Sequence, residues 1–218
     1  MARSRKNHEI QRERLICIAL DLFVEKGYEN VTVMDIMLAA ELSKGGMYHY
    51  FSSKEDILDA VVKYGLQQEQ KRIEAQLKAL PVEDRLPYFA ISDEIGEFAQ
   101  RLLGFSRDNR NSIVGYRMRE QNVYFCIEIL RGIFDDGISA GLFHTRYPQE
   151  MAEFCALMVR AMVDTNFLPE TGPDGAGRRV QVFMHLMDKG MEIEADYANR
   201  LSHLFDNEVK EYGHDEKA

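Results

Sequence analysis

The stretch Lys44-Gly45-Gly46-Met47-Tyr48-His49 holds the side chains whose types and spacing point to chemistry. Met47 and Phe51 lie four apart and give a short helix its buried side, which leaves Lys44, Gly45, Tyr48 and His49 facing outward. A cation, small residues and aromatic donors on a helix held by its back suit a major groove, where phosphates and base edges accept hydrogen bonds. Catalytic chemistry finds less support. The six histidines are scattered without metal-ligand clustering, no nucleophile motif stands out, and no glycine-rich loop follows a strand.

Such a helix needs elements to present it. Thr32 is an N-cap, with Asp35 three residues on in a capping-box pattern. Val33, Ile36, Met37 and Ala40 then recur at helical spacing as one apolar face. The pattern breaks at Glu41–Leu42, and Ser43 caps the next helix. Two short helices joined by a tight turn, residues 32–51, read as a helix-turn-helix; cap and stripe alone also fit an αα-hairpin inside an ordinary bundle.

Residues 14–58, RLICIALDLFVEKGYENVTVMDIMLAAELSKGGMYHYFSSKEDIL, resemble the DNA-binding domain of the tetracycline-repressor (TetR/AcrR) family along their whole length. The resemblance rests on ALDLFVEKGYEN, VTVMDI and LSKGGMYHYF with SSKEDIL directly behind. It implies DNA contacts from Thr32, Ser43, Lys44, Gly45, Gly46, Tyr48, His49 and Lys54. Four departures stand out: Glu41 replaces the turn glycine, Gly46 a threonine, Met37 an alanine, and Met34 and Leu38 place apolar side chains where polar ones are usual.

The 218 residues carry a net charge of −9, which at first sight argues against a nucleic-acid partner. Its distribution removes the objection. Residues 1–54 hold 8 basic and 7 acidic residues, leaving 19 basic and 29 acidic for the rest. Arg3, Arg5, Lys6, Arg12 and Arg14 crowd an N-terminal arm that either reaches phosphates or is a disordered, solubilising segment. No apolar run approaches the ~20 residues needed to span a bilayer, and no signal-peptide core follows the basic start. A cytoplasmic protein without membrane contact is expected. Cys17, Cys126 and Cys155 lack disulfide or metal spacing and read as buried, reduced thiols; no metal or cofactor is implied.

Helical periodicity runs through the whole chain, so the fold class is all-α. The resemblance implies an N-terminal three-helix helix-turn-helix domain, 9–69, linked by a long helix to an effector-binding and dimerisation domain, 70–205, followed by a charged tail at 206–218. The first helix spans Glu9–Lys26, stopped by Gly27, and the linking helix runs from Lys54, capped by Ser53 with Asp56 as its box partner, to about Leu80. One helix is expected over Glu83–Gly104, a turn at Ser106–Asn111, then two helices, Ser112–Glu120 and Gln121–Ala140, the second stopped by Gly141. Arg117 and Arg119 read as solvated charges.

Met151, Phe154, Cys155, Met158 and Met162 share their intervals with Val180, Phe183, Met184, Met187 and Met191. The first of these helices is apolar all round and needs two partners. In the family the last two long helices dimerise as a four-helix bundle, which implies an interface at Met151, Phe154, Met158, Met162, Phe183, Met184, Met187 and Met191; a wholly intramolecular core is the alternative. Phe89, Phe98, Phe105, Tyr116, Tyr124 and Phe125 are candidates for an apolar effector pocket, although aromatic stripes at helical spacing are more often plain core. The implied function is a homodimeric repressor that binds a pseudo-palindromic duplex operator and is released by a small molecule. An α-helical enzyme, or an interaction module that has lost DNA binding, is the competing reading.

Overall fold

The computed structural model describes the backbone of residues 2–92, 94–108, 113–163 and 175–204. Every regular element among them is helical, as the periodicity requires: α1 (Ala2–Lys26), a 3-10 turn (Tyr28–Asn30), α2 (Val33–Ala39), α3 (Lys44–Tyr48), α4 (Lys54–Ala79), α5 (Val82–Ile91), α6 (Glu97–Asp108), α7 (Ile113–Ser139), α8 (Pro148–Val163) and α9 (Gly175–Met191). A further helical stretch covers 195–204. The tail 206–218 and the linker ahead of Gly175 lie outside the described residues.

The chain forms two compact units, one of Met1–Arg72 with Ile95–Asn122, the other of Ile73–Glu94 with Val123–Ala218. In the first unit α1 buries Leu15, Ile16, Ala19, Leu20 and Phe23 against Ile36 and Ala40 of α2, Met47 of α3 and Phe51. Ile57, Leu58, Val61 and Val62 of α4 complete this core, joined by Leu102, Phe105, Val114 and Met118. Each buried Leu, Ile, Val, Phe or Met side chain here contributes about 1.5–3 kcal/mol. Gly65 lets α4 and α6 approach closely, because a Cβ there would stand 2.7 Å from Leu102 and 2.9 Å from Phe98. Arg117 of α7 pairs with Asp59 of α4 at 3.2 Å, where a solvated charge was the default reading and a carboxylate partner the alternative.

The second unit packs Ile73 and Leu77 with Ile129, Leu130, Ile133 and Phe134 of α7, Ala152, Cys155 and Ala156 of α8, and Met187 and Met191 of α9. Phe143, Tyr197 and Leu201 close this core. Arg85 pairs with Asp136, and Arg200 with Asp84, at its surface.

Several helix boundaries differ from the sequence reading, and α6 runs to Asp108, into the turn expected from Ser106. α1 starts at Ala2 rather than Glu9, because residues 2–10 contain no glycine or proline and His8 finds a ring to stack on. The single helix expected over 83–104 is two, α5 and α6. Side chains compete for the backbone at the break: Ser92 Oγ accepts from the Glu94 amide, and the buried Glu69 carboxylate accepts from the Gly96 amide at 3.0 Å. The two helices expected over 112–140 are one, α7. Its polar middle, Glu120-Gln121-Asn122, contains no breaker, and Glu120 pairs with Arg117 one turn earlier.

Candidate nucleic-acid interface

Capping shapes the helix-turn-helix. Thr32 Oγ1 accepts from the Asp35 amide at 3.2 Å, while the Asp35 carboxylate accepts from the Thr32 amide at 2.8 Å and from its hydroxyl at 2.6 Å. The hydroxyl bond first, then the amide bond, hold the Asp35 carboxyl below the usual carboxylate range. The capping box is complete, and it also commits the Thr32 hydroxyl proton to Asp35. Ser43 Oγ accepts from the Gly46 amide at 3.2 Å and so caps α3. At α4 the Asp56 amide donates to Ser53 Oγ, as expected of the cap. The Asp56 carboxylate, however, accepts from the Ser52 amide and hydroxyl.

Between α2 and α3 the chain turns at Glu41, whose φ is +56°. The Glu41 amide donates to the Leu38 carbonyl at 3.1 Å and the Leu42 amide to the Met37 carbonyl at 3.0 Å. This is a Schellman ending with a glutamate in the left-handed position that favours glycine. Gly141 closes α7 with the same bond pair at φ +78°, and Glu192 follows α9 at φ +49°.

With α3 so placed, Met47 and Phe51 are buried, and Ser43, Lys44, Gly45, Tyr48 and His49 are exposed. Tyr48 is 54% exposed, and a Cβ at Gly45 would touch nothing within 4 Å. Gly46 lies against its cap, 3.3 Å from Ser43 Oγ if a Cβ were added. On the outward side of α2, Met34 (56%) and Leu38 (65%) are exposed apolar groups. Lys54 is half-buried. Its ammonium donates to the Tyr28 carbonyl at 3.0 Å and lies 4.2 Å from the centre of that residue's ring.

A group that the sequence did not single out joins this surface. The His8 ring stacks on Tyr50, centroids 4.6 Å apart and 26° between planes, and meets His49 edge-on at 5.3 Å. Nothing in the local spacing of α1 marks His8, because its partners come from residues more than forty positions later.

Three of the six candidate pocket residues belong to each unit. Phe98 and Phe105 pack in the first unit's core against Tyr64 and Phe23, and Tyr116 is exposed there. Phe89 and Phe125 are half-buried in the second unit, where Tyr124 is 63% exposed. A cavity of about 380 Å³ in that unit is lined by other residues, Val180, Gln181, Met184, His185 and Asp188 of α9 with Ile193, Ala198, Asn199, Leu201 and Ser202.

Of the residues expected at a dimer interface, Phe154 and Met158 are exposed on α8. Met151, Phe183 and Met184 are half-buried against the second unit's own core, and Met187 and Met191 are inside it. The side chain of Met162 lies outside the described residues. Leu157 and Val159, on the other apolar side of that helix in the sequence reading, are also exposed on α8, as are Val182 and Leu186 on α9, which the pattern did not single out. All three cysteines are free thiols, Cys155 buried and Cys17 and Cys126 half-buried. No helix among the described residues is long and apolar enough to cross a membrane.

Residues 15–61 match the model of a family described as bacterial regulatory proteins, tetR family. The HTH-type transcriptional regulator HbdR of Aromatoleum sp. is 38% identical over 77 residues, 34% of each chain. The HTH-type transcriptional repressor KstR2 of Rhodococcus jostii is 42% identical over 53 residues, 24% of this chain and 26% of its own. The chain thus spans only about a third or less of the length of these relatives. A TetR-family transcriptional regulator from Pectobacterium atrosepticum shares the fold at TM-score 0.54 and 22% identity, over 86% of this chain and 97% of its own.

Proposed function

We propose, from the premise that this chain belongs to the tetR family of bacterial regulatory proteins, that it is a homodimeric, ligand-responsive DNA-binding regulator acting as a repressor. One observation carries the reading: a capped five-residue helix backed by buried Met47 holds Lys44, Gly45, Tyr48 and His49 outward, within the matched residues. In this reading α3 enters the major groove. Lys44 reaches a base edge or phosphate, Gly45 and Gly46 let the backbone approach, and the Tyr48 hydroxyl meets a phosphate while its ring edge meets a thymine methyl. Ser43, Thr32 and Lys54 sit at the starts of α3, α2 and α4, where phosphates are favoured.

The reading head is residues 9–69, and residues 70–205 take up the effector and form the dimer; the protein works in the cytoplasm. A small molecule in that second region changes the separation of the two heads and releases the operator. Such a role calls for no enzymatic chemistry. Exposed Met34 and Leu38, beside the strained Glu41, favour a second reading, an interaction module that has lost DNA binding.

Selection of genomic fragments by the full chain separates the two. The first reading expects a pseudo-palindrome whose half-sites lie about one helical turn apart or a multiple of it. Some member of a metabolite library should then dissociate the complex. Absence of any preferred duplex overturns the first reading.

A further inference from the structure

Two of the six histidines lie in residues 1–72, and the other four follow residue 122. These two, His8 and His49, come together although they belong to different elements. His8 sits two turns into α1, and His49 ends α3 as its C-terminal cap. Their rings are 5.3 Å apart and perpendicular, and Tyr50 completes the cluster, 4.6 Å from His8 and 5.6 Å from His49. His49 is exposed and His8 half-exposed.

Several of the neighbouring charges have other engagements. On α1, Lys6 and Glu9 flank His8, and one turn on the Arg12 guanidinium lies 5.1 Å over the Phe51 ring. Beyond Tyr50, the Asp56 carboxylate accepts from the Ser52 amide and hydroxyl, and the Lys54 ammonium is held by the Tyr28 carbonyl. Lys44 stands at the other end of α3.

An imidazole is the side chain whose charge changes in the physiological pH range. Two imidazolium charges 5.3 Å apart repel one another. A backbone phosphate beside the pair offsets that repulsion, because a nearby anion favours the charged form. Proton uptake and DNA binding then strengthen each other by the same factor.

We propose that His8 is a positioning residue for DNA binding, and that with His49 it forms a proton-linked element at the foot of α3 which engages a duplex phosphate. The proposal rests on the DNA-binding reading above. It adds that α1 supplies part of the interface and that affinity rises as pH falls.

The test is fluorescence anisotropy of the full chain with its selected duplex at constant ionic strength, from about pH 8 down to about pH 6. Affinity is expected to rise on the order of five- to tenfold across that range, an average uptake of about a third to a half of a proton on binding. His8→Phe keeps a ring to stack on Tyr50 but carries no proton, so it should flatten the profile whatever it does to affinity at the alkaline end. His49→Gln should flatten it too, and the double variant little further. His203→Gln, in the second unit, should leave the slope as in the parent. A purely structural His8 would predict a uniform loss at every pH, with the slope kept. A flat profile in the parent, or a His8→Phe variant that keeps the acid gain, overturns the proposal while the DNA-binding reading stands. A chain that binds no duplex at any pH overturns both.

Discussion

The Lys54 ammonium holds Tyr28 twice, through its carbonyl oxygen at 3.0 Å and through its ring, 4.2 Å from the centroid. This contact ties the start of α4 to the 3-10 turn that leads from α1 to α2. A charged hydrogen bond and a half-buried cation–π contact together contribute about 1–3 kcal/mol. Lys54→Met keeps the apolar stem and loses both, so the melting temperature should fall by about 2–4 °C per kcal/mol lost. An unchanged melting curve would remove this structural role. Salt dependence of DNA binding decides whether the same ammonium also neutralises a phosphate: the slope then falls by about 2 per dimer, and otherwise stays.

Glu41 at φ +56° should be a built-in weakness of the reading head. A side chain in the left-handed region costs about 1–2 kcal/mol. Glycine relieves that strain but adds unfolded-state entropy of up to about 1 kcal/mol. Strain is the larger effect, so Glu41→Gly should melt higher than the parent. Glu41→Gln keeps the strain and removes the charge, and should tighten DNA binding slightly at low salt with almost no change in melting. A glycine variant that melts lower refutes the argument.

The head was legible in the sequence because its signals are local. Thr32, Asp35 and Ser43 act within three residues of themselves, and Met47 and Phe51 show their burial by spacing alone. What escaped depends on distant partners. The break between α5 and α6 is stabilised by Glu69, 27 residues before Gly96, and His8 meets Tyr50 across 42 residues. Apolar stripes on α8 and α9 could be read, but not which members face the unit's own core. Met187 and Leu186 are adjacent, one buried and one exposed, and only the packing of Met187 with residues such as Phe143 and Tyr197 in the same core tells them apart.

Alkaline pH should loosen the protein in a defined window. Burial pushes the Cys126 thiol up to about 11, and burial, then the neighbouring Cys126, push Cys155 up to about 12. Tyr28 and Tyr197 also rise to about 12, chiefly through burial. All these groups are neutral when protonated, and their folded pKa values exceed the unfolded ones. Their contribution is therefore complete below about pH 9 and is lost as pH climbs through about 11–12. Urea midpoints should hold up to about pH 9 and then decline. In a Cys126→Ala/Cys155→Ala variant the decline relative to its own neutral value should be shallower; an identical decline would show that the thiols are not the linked groups.

The dimer face can be tested against the core beside it. On α8, Phe154, Leu157 and Met158 recur at i, i+3 and i+4 and are exposed, as are Val182 and Leu186, four apart on α9. Phe154 alone leaves 65% of its surface to solvent in the single chain. Under the proposed homodimer, this exposed apolar stripe on two helices of one unit is the face expected to meet the second copy. Met187 is different, because it is buried among Cys155, Met191 and Leu201. A glutamate at Phe154 or Leu186 puts a charge on the partner-facing side only, so each variant should sediment as a folded monomer with an unchanged helical signal. A glutamate at Met187 puts an unpaired charge into the core, which costs several kcal/mol and should unfold the second unit. The assignment fails if Phe154→Glu and Leu186→Glu remain dimers, or if Met187→Glu gives a stable monomer with the parent's melting temperature.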